Sequence, residues 1–496
     1  MKIKIAYILI GLLTTLSLTT SCLKNDNEYY YSGETSITSF SLGTLKVWKM
    51  GTDKYGRDSI YYDTIPMAKY PFTIDQLNRR IVNRDSLPVG TDISKVIVHI
   101  EADSEYILYG KISKEGEEAT DTTWTNKDSL NFEIAPDHSL KFKVLSYSGI
   151  MGEPYTVKVN VHQQEPDSLQ WAEDETALRH EFQSGSLSKQ KAICIQNTIY
   201  IFGVQENGNS IIESISVNEN GVPEKAWSQI AIPQHTNTYS ATLWNDNIYF
   251  LADNQLYELN EENAYNVSQY NPSDFTLAQI LGAVTTSSTS KLYGYTTDNE
   301  FVECVVDENG SRWIKTNEQA ISLPNVQQRF SSVNIPLSYN SNISRTVIMG
   351  YNSSAIDGTG VVAYKLTNDQ TWTAYNYANS DSLTAPNIED GTLIYYDKKL
   401  YTFGGKNTSK DYQTYESPFS AIYCSTDNGL TWNRTIRYFK FPKGDNSFTS
   451  KYEEGTEGEG CYSCTIDKNN FIWLIWHNGY MSRGRVNRLG FLPKWP

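Results

Sequence analysis

A short apolar strand with an aromatic or branched centre recurs six times in the C-terminal part of this chain, and no other feature restricts the fold as tightly. The copies read NTIYIFG around Tyr200, DNIYFLA around Tyr249, SKLYGYT around Tyr293, SRTVIMG around Val347, KKLYTFG around Tyr401 and NNFIWLI around Trp473, at spacings of 49, 44, 54, 54 and 72 residues. Each follows a polar turn, and each turn follows another apolar stretch, such as Ser240-Ala241-Thr242-Leu243 or Ser463-Cys464-Thr465-Ile466. A strand pair that returns about every 50 residues is the signature of a radial array of four-stranded sheets. Six copies predict six blades.

A tryptophan strand supports this reading. Trp227, Trp313, Trp372 and Trp432 each fall where an outermost strand would end a blade, and the second repeat has none. Trp171 precedes the first blade and has no blade of its own, whereas the last repeat runs from Trp473 to Arg485 and Phe491 and stops short of a fourth strand. The Trp171 strand is therefore expected to complete the last sheet and join the two ends of the ring. Closure removes the open edges whose unpaired backbone groups invite aggregation.

Upstream, residues 35–164 carry short runs with period-two alternation, among them Phe40/Leu42, Val96/Val98 and Tyr155/Val157/Val159/Val161. One buried face per strand produces that pattern. About seven such strands, separated by turns such as Ala135-Pro136-Asp137, predict an all-β, Ig-like sandwich; a helical turn or two is expected over residues 74–82. Polar residues 162–168 place the boundary to the propeller, residues 165–496, near Glu165.

The N-terminus has its own pattern. Lys2 and Lys4, an apolar run from Ile5 to Leu18, and small residues Thr19-Thr20-Ser21 before Cys22 read as a signal peptide over residues 1–21. The run is too short for a confident membrane span. The triplet before cysteine resembles a bacterial lipobox, with Thr19 where Leu is usual, so Cys22 becomes the lipidated first residue, followed by a tether over residues 22–34. The expected location is the outer membrane, lipid-anchored and facing the periplasm or the cell surface.

Composition narrows the partners. A formal net charge of −15 and the lack of a Lys/Arg block exclude the dense basic face that nucleic acid requires. Cys194, Cys304, Cys424, Cys461 and Cys464 are an odd, scattered set and not a disulfide framework. The Cys461-x-x-Cys464 pair admits a local disulfide, but buried thiols fit better.

Taken together, the strand centres in residues 165–496 look like the galactose-oxidase/kelch propeller superfamily. The whole chain, with its lipobox, its sandwich and a six-repeat propeller ending in Arg485-x-Asn487-Arg488-Leu489-Gly490-Phe491, resembles a Bacteroidetes lipoprotein family of unknown function. That resemblance implies a fold and a location but no chemistry. Ser425-x-Asp427-x-Gly429-x-Thr431-Trp432 matches the Asp-box pattern of sialidases and related propellers. Its residues are expected to act structurally: Asp427 accepts from its own turn, Gly429 supplies a positive φ and Trp432 packs beneath.

No residue pattern marks a catalyst. A sialidase would need a second set of signatures that the chain lacks, and a galactose-oxidase copper would need two His and two Tyr where the propeller has His180, His235 and His477 scattered. No metal and no cofactor is expected. Residues 406–417 and 443–460 interrupt the last two repeats, the second as a Gly-rich acidic loop. They are expected to gather over one rim, with Tyr412, Tyr415 and Tyr452 as stacking groups and Trp476, His477, Arg483 and Arg485 behind them. The reading is a cell-surface binding propeller for a glycan or a protein partner of a nutrient-uptake system. A glycoside hydrolase or lyase with loop carboxylates, and an architectural subunit, are the alternatives.

Overall fold

The computed structural model describes residues 31–52, 58–172, 175–260, 262–316, 329–353, 358–377, 383–408, 417–435, 438–442, 448–454 and 461–490. The chain forms two compact units, Met1–Glu165 and Pro166–Pro496. Cys22, and with it the signal peptide and most of the tether, lies outside the described residues.

In the first unit a three-stranded sheet (Ile37–Leu42, Val96–Ala102, Ser129–Leu130) and a six-stranded sheet share one core. Phe40, Leu42, Val96 and Val98 from the small sheet meet Ile107, Phe142, Val144, Tyr155 and Val157 from the large one. Of these, Phe40, Leu42, Val96, Val98, Tyr155 and Val157 are alternating positions read from the sequence. Residues 74–82 are not helical. Phe72–Asp75 and Arg80–Asn83 pair as antiparallel strands. The turn between them is built by Asp75 Oδ1, which accepts from the Leu77 and Asn78 amides at 3.1 and 3.0 Å, and by Arg79 at φ 51°. A short polar side chain bonding forward to the backbone outcompetes a helical turn here.

In the second unit the described residues form six four-stranded antiparallel sheets. Every aromatic or branched centre falls on the second strand of its sheet: Thr198–Gln205, Asn247–Ala252, Ser290–Thr296, Ser344–Gly350, Lys399–Gly404 and Ile472–Trp476. The strand before each is the inner one: Leu187–Ile195, Thr242–Trp244, Leu277–Thr285, Phe330–Pro336, Gly391–Tyr396 and Tyr462–Ile466. Each inner strand touches the inner strand of the next sheet, and that of the sixth touches that of the first. Apolar side chains fill the wedges between neighbouring sheets, for example Tyr200, Phe202, Ile248 and Phe250 between the first two.

The sixth sheet takes its outer strand from the start of the unit. Leu169–Ala172 pairs antiparallel with Met481–Val486, Trp171 standing opposite Gly484. Trp171 Nε1 donates to the Lys440 carbonyl at 3.0 Å, and its ring meets Phe448 edge-on at 4.9 Å. The Asn487 and Arg488 amides donate to the Ser168 and Pro166 carbonyls, and the Arg488 guanidinium pairs with Asp167 and Asp397. The terminal Arg-x-Asn-Arg segment is thus an anchor for the closing strand. Between the third and fourth sheets, Glu303 lies between Lys291 at 3.0 Å and Lys365 at 3.2 Å, all three buried.

Candidate functional site

The residues singled out from the sequence do not form one site. Tyr412 and Tyr415 lie outside the described residues. Residues 448–453 are a short helix rather than loop, and it plugs the space between the fifth and sixth sheets. Phe448 and Tyr452 sit at i and i+4, one helical face, and both are buried. Tyr452 donates to Asp390 Oδ2 at 3.0 Å. Trp476 is only 2% exposed and packs on Phe419 and Phe448, both at 5.4 Å. Tyr452 and Trp476 are therefore core residues with no free ring face.

Arg483 and Arg485 sit elsewhere. Arg485 stacks on Phe471 at 4.0 Å and donates to the Asn469 carbonyl, while Arg483 donates to the carbonyls of Asn220 and Gly221. They line the 467–471 turn, at one end of strand Ile472–Trp476. His477 belongs to the turn at the other end, roughly 15 Å away by strand rise. His477 is 9% exposed, its Nδ1 has no partner among the described residues, and burial lowers its pKa, against the opposing pull of Glu454 and Glu206.

The Asp-box residues do come together, as a turn. Asp427 Oδ1 accepts from the Ser425 hydroxyl at 2.8 Å and the Thr431 amide at 2.9 Å, and Oδ2 accepts from the Thr431 hydroxyl at 2.6 Å. Ser425 Oγ accepts from the Gly429 amide, Gly429 has φ 96°, and the buried Trp432 donates to the Gly429 carbonyl at 3.0 Å. Burial works against the Asp427 charge, but Thr431 and Ser425 outweigh it and hold the carboxyl below its usual range. Every oxygen is spent on the turn itself.

A different cluster forms where the inner strands begin. Lys191, from the first sheet, donates to the Tyr239 carbonyl leading into the second at 2.9 Å, and its ammonium lies 5.8 Å from the Phe330 ring of the fourth. Arg329, just before the fourth sheet, donates to the Tyr462 carbonyl of the sixth and to Thr392 Oγ1 of the fifth, each at 2.6 Å. Its guanidinium lies 4.0 Å over the Tyr462 ring. The Tyr462 hydroxyl meets Thr392 Oγ1 at 2.8 Å and donates to the Asp390 carbonyl at 2.9 Å. Side chains that start on different sheets meet like this only along the axis the sheets surround.

The electrostatics of this axial end are unusual. Among the described residues neither Lys191 nor Arg329 makes an ion pair; each bonds to carbonyl or hydroxyl oxygen. Burial, reinforced by the Arg329 charge, brings the Lys191 pKa down to about 7. Burial also opposes the Arg329 charge, but Tyr462, Asp390, Tyr239 and Cys461 prevail and its pKa is raised. Three buried oxygens on the inner strands or their lead-ins have no partner among the described residues: Gln190 Oε1, Thr238 Oγ1 and Ser463 Oγ.

Sequence reading passed over Lys191, Arg329 and Asp390 because each is an ordinary polar residue in its own repeat. The available signal was positional, since Arg329 and Asp390 immediately precede inner strands and Lys191 lies at the centre of one.

Among the described residues the cysteines offer no reactive thiol. All five are free, and burial pushes Cys461 and Cys464 up to about 12. Cys464 is three residues along an extended segment from Cys461, so their Cα atoms stand roughly 10 Å apart and face opposite sides. A disulfide needs less than about 7 Å. Among the described residues no group of three or more His, Cys, Asp or Glu is placed to hold a metal ion.

No curated protein matches the chain. Solved structures that resemble it include a mutant of AofleA from Arthrobotrys oligospora (13% identity, 64% of this chain, 86% of that one, TM-score 0.37). The six-bladed β-propeller lectin of Aleuria aurantia resembles it too (11%, 63%, 99%, TM-score 0.36). So does a Penicillium chrysogenum α-L-arabinanase (10%, 61%, 94%, TM-score 0.33). Likeness at this level carries no ligand or activity to this chain. The sequence models are decisive: residues 40–159 match the DUF6242 N-terminal domain and residues 165–494 the DUF6242 beta propeller domain, so the chain belongs to the DUF6242 family.

Proposed function

We propose that this chain is a lipid-anchored surface protein whose propeller is a binding module for a glycan or for a protein partner of a nutrient-uptake system. In this reading Cys22 carries the lipid, residues 35–164 are an Ig-like sandwich, and the six sheets are six blades of one kelch-like ring. The six-blade reading is supported by the cyclic contact of the inner strands and by the Trp171 strand in the sixth sheet.

The observation that carries the binding reading is the axial end. Five of the six sheets supply groups to it, and among the described residues neither of its cations, Lys191 and Arg329, is in ion-pair contact with a carboxylate. A hydrolase or lyase would need carboxylates turned toward a substrate. The carboxylate described at this end, Asp390, has Oδ2 occupied by the buried Tyr452 hydroxyl. Glycan-array binding by the full chain without release of reducing sugar is the expected result. Sugar release abolished by changing one carboxylate would replace binding with catalysis. Labelling by a palmitate analogue, lost in Cys22→Ala, tests the anchor; an untagged wild type removes it.

A further inference from the structure

We propose that the axial end takes a carboxylate group between the Lys191 ammonium and the Arg329 guanidinium, so that the ligand is an acidic saccharide built from uronic acids. The inference rests on the binding-module reading and names its ligand class.

Donor bookkeeping comes first. Lys191 has three N–H donors and spends one, on the Tyr239 carbonyl. Arg329 has five and spends two, on the Tyr462 carbonyl and the Thr392 hydroxyl. Both cations have an aromatic partner, Phe330 for Lys191 and Tyr462 for Arg329. A ring face offsets part of a cation's lost hydration but supplies no counter-charge. Both cations are half-buried; the Asp390 charge acts on Arg329, but Lys191 feels only the repulsion of the guanidinium, and two like charges with no carboxylate in contact with either among the described residues are a costly arrangement. An anion bridging them removes that cost on arrival.

The rest of the molecule makes the feature more selective. At a formal net charge of −15 the chain as a whole repels anions, so only a local cationic pair admits one. The oxygens of Gln190, Thr238 and Ser463, on inner strands or their lead-ins, are buried and without a partner among the described residues; all three can accept, and the two hydroxyls can also donate. Sugar hydroxyls are the donors that match them, which favours a saccharide acid over a bare anion.

A pH signature follows from the groups that face Lys191. These are the Arg329 charge and, across Arg329, Asp390, Tyr239, Tyr462 and Cys461. In the free protein Lys191 titrates about 7. A bound carboxylate favours the ammonium, so above that pH binding takes up a proton, and affinity falls about tenfold for each further unit.

The test is calorimetric titration of the full, lipid-free chain with oligomers of galacturonate, glucuronate and mannuronate against their neutral counterparts, at pH 6 and pH 8. The expected result is binding of at least one uronate, about tenfold tighter at pH 6. Lys191→Met, checked for an unchanged urea midpoint or better, should weaken it by about 10- to 100-fold. Lys191→Arg, which stays charged at both pH values, should keep the affinity and lose the pH dependence. Uronate binding indifferent to Lys191→Met, a pH dependence that persists in Lys191→Arg, or no uronate binding at all overturns the carboxylate site. Binding confined to neutral sugars also overturns it, but leaves the binding module standing; hydrolysis of either kind of sugar brings down the binding module itself.

Discussion

Substituting Gly484 by alanine should pry the closing strand off the sixth sheet. An ideal Cβ at Gly484 would meet three ring carbons of Trp171 at 2.7, 2.8 and 2.9 Å. Carbon atoms rest at about 3.5–4.0 Å, so the indole must retreat by about 1 Å. It has little room, being held by the Lys440 carbonyl and the Phe448 and Phe441 rings. Overpacking of this kind costs about 1–3 kcal/mol, and a broken indole hydrogen bond about 1 more. Gly484→Ala should therefore destabilise the second unit by about 2–4 kcal/mol. Trp171→Ala alone should cost about 2–3 kcal/mol, less than a fully buried tryptophan because the ring is half-buried. The double variant has no indole to strike, so it should cost little more than Trp171→Ala. Equilibrium urea unfolding followed by tryptophan fluorescence gives the cycle, with an expected coupling of about 2 kcal/mol. Costs that add to within about 0.5 kcal/mol would mean that Trp171 does not lie against Gly484, and the account of closure would fall.

Other outcomes follow from the same chemistry. Asp427→Ala should lose about 2–3 kcal/mol by stranding the Thr431 amide and two hydroxyls while leaving ligand affinity unchanged, and a selective loss of binding would contradict the structural role. Glu303→Gln leaves Lys291 and Lys365 without their shared carboxylate and should cost about 3–5 kcal/mol in urea unfolding; a near-neutral result would show that water reaches the cluster. His477 has a folded pKa below its unfolded value, so the unfolded chain binds the proton first and stability drains as pH falls below about 6.5. His477→Gln should flatten that acid limb, and an unchanged slope would assign the loss to other groups.

The propeller was legible because its signal is local and repeated. Tyr200, Tyr249, Tyr293, Val347, Tyr401 and Trp473 each announce a central strand through the same turn and the same apolar run. The orphan Trp171 was informative because counting strands exposes a missing partner. What stayed hidden depends on which side chains meet across the ring. Lys191, Arg329 and Asp390 belong to three different repeats and become a cluster only when inner strands share an axis. The 448–453 helix was masked by its glycine and glutamate flanks, although Phe448 and Tyr452 already had helical spacing. Residues 74–82 erred the other way: an apolar spacing suggested a helix, and the Asp75 turn decided for a hairpin.

The strand that seals the sixth sheet is among the earliest parts of its unit to be synthesised, and its partner, Met481–Val486, is among the last. Until that partner emerges, Leu169–Ala172 must wait with an open edge while five sheets gather beyond it. Premature termination anywhere in the final repeat therefore leaves two sticky edges instead of one shortened tail. A nascent chain of this design has strong reason to be escorted until its synthesis ends, and it reaches its durable form in a single late step.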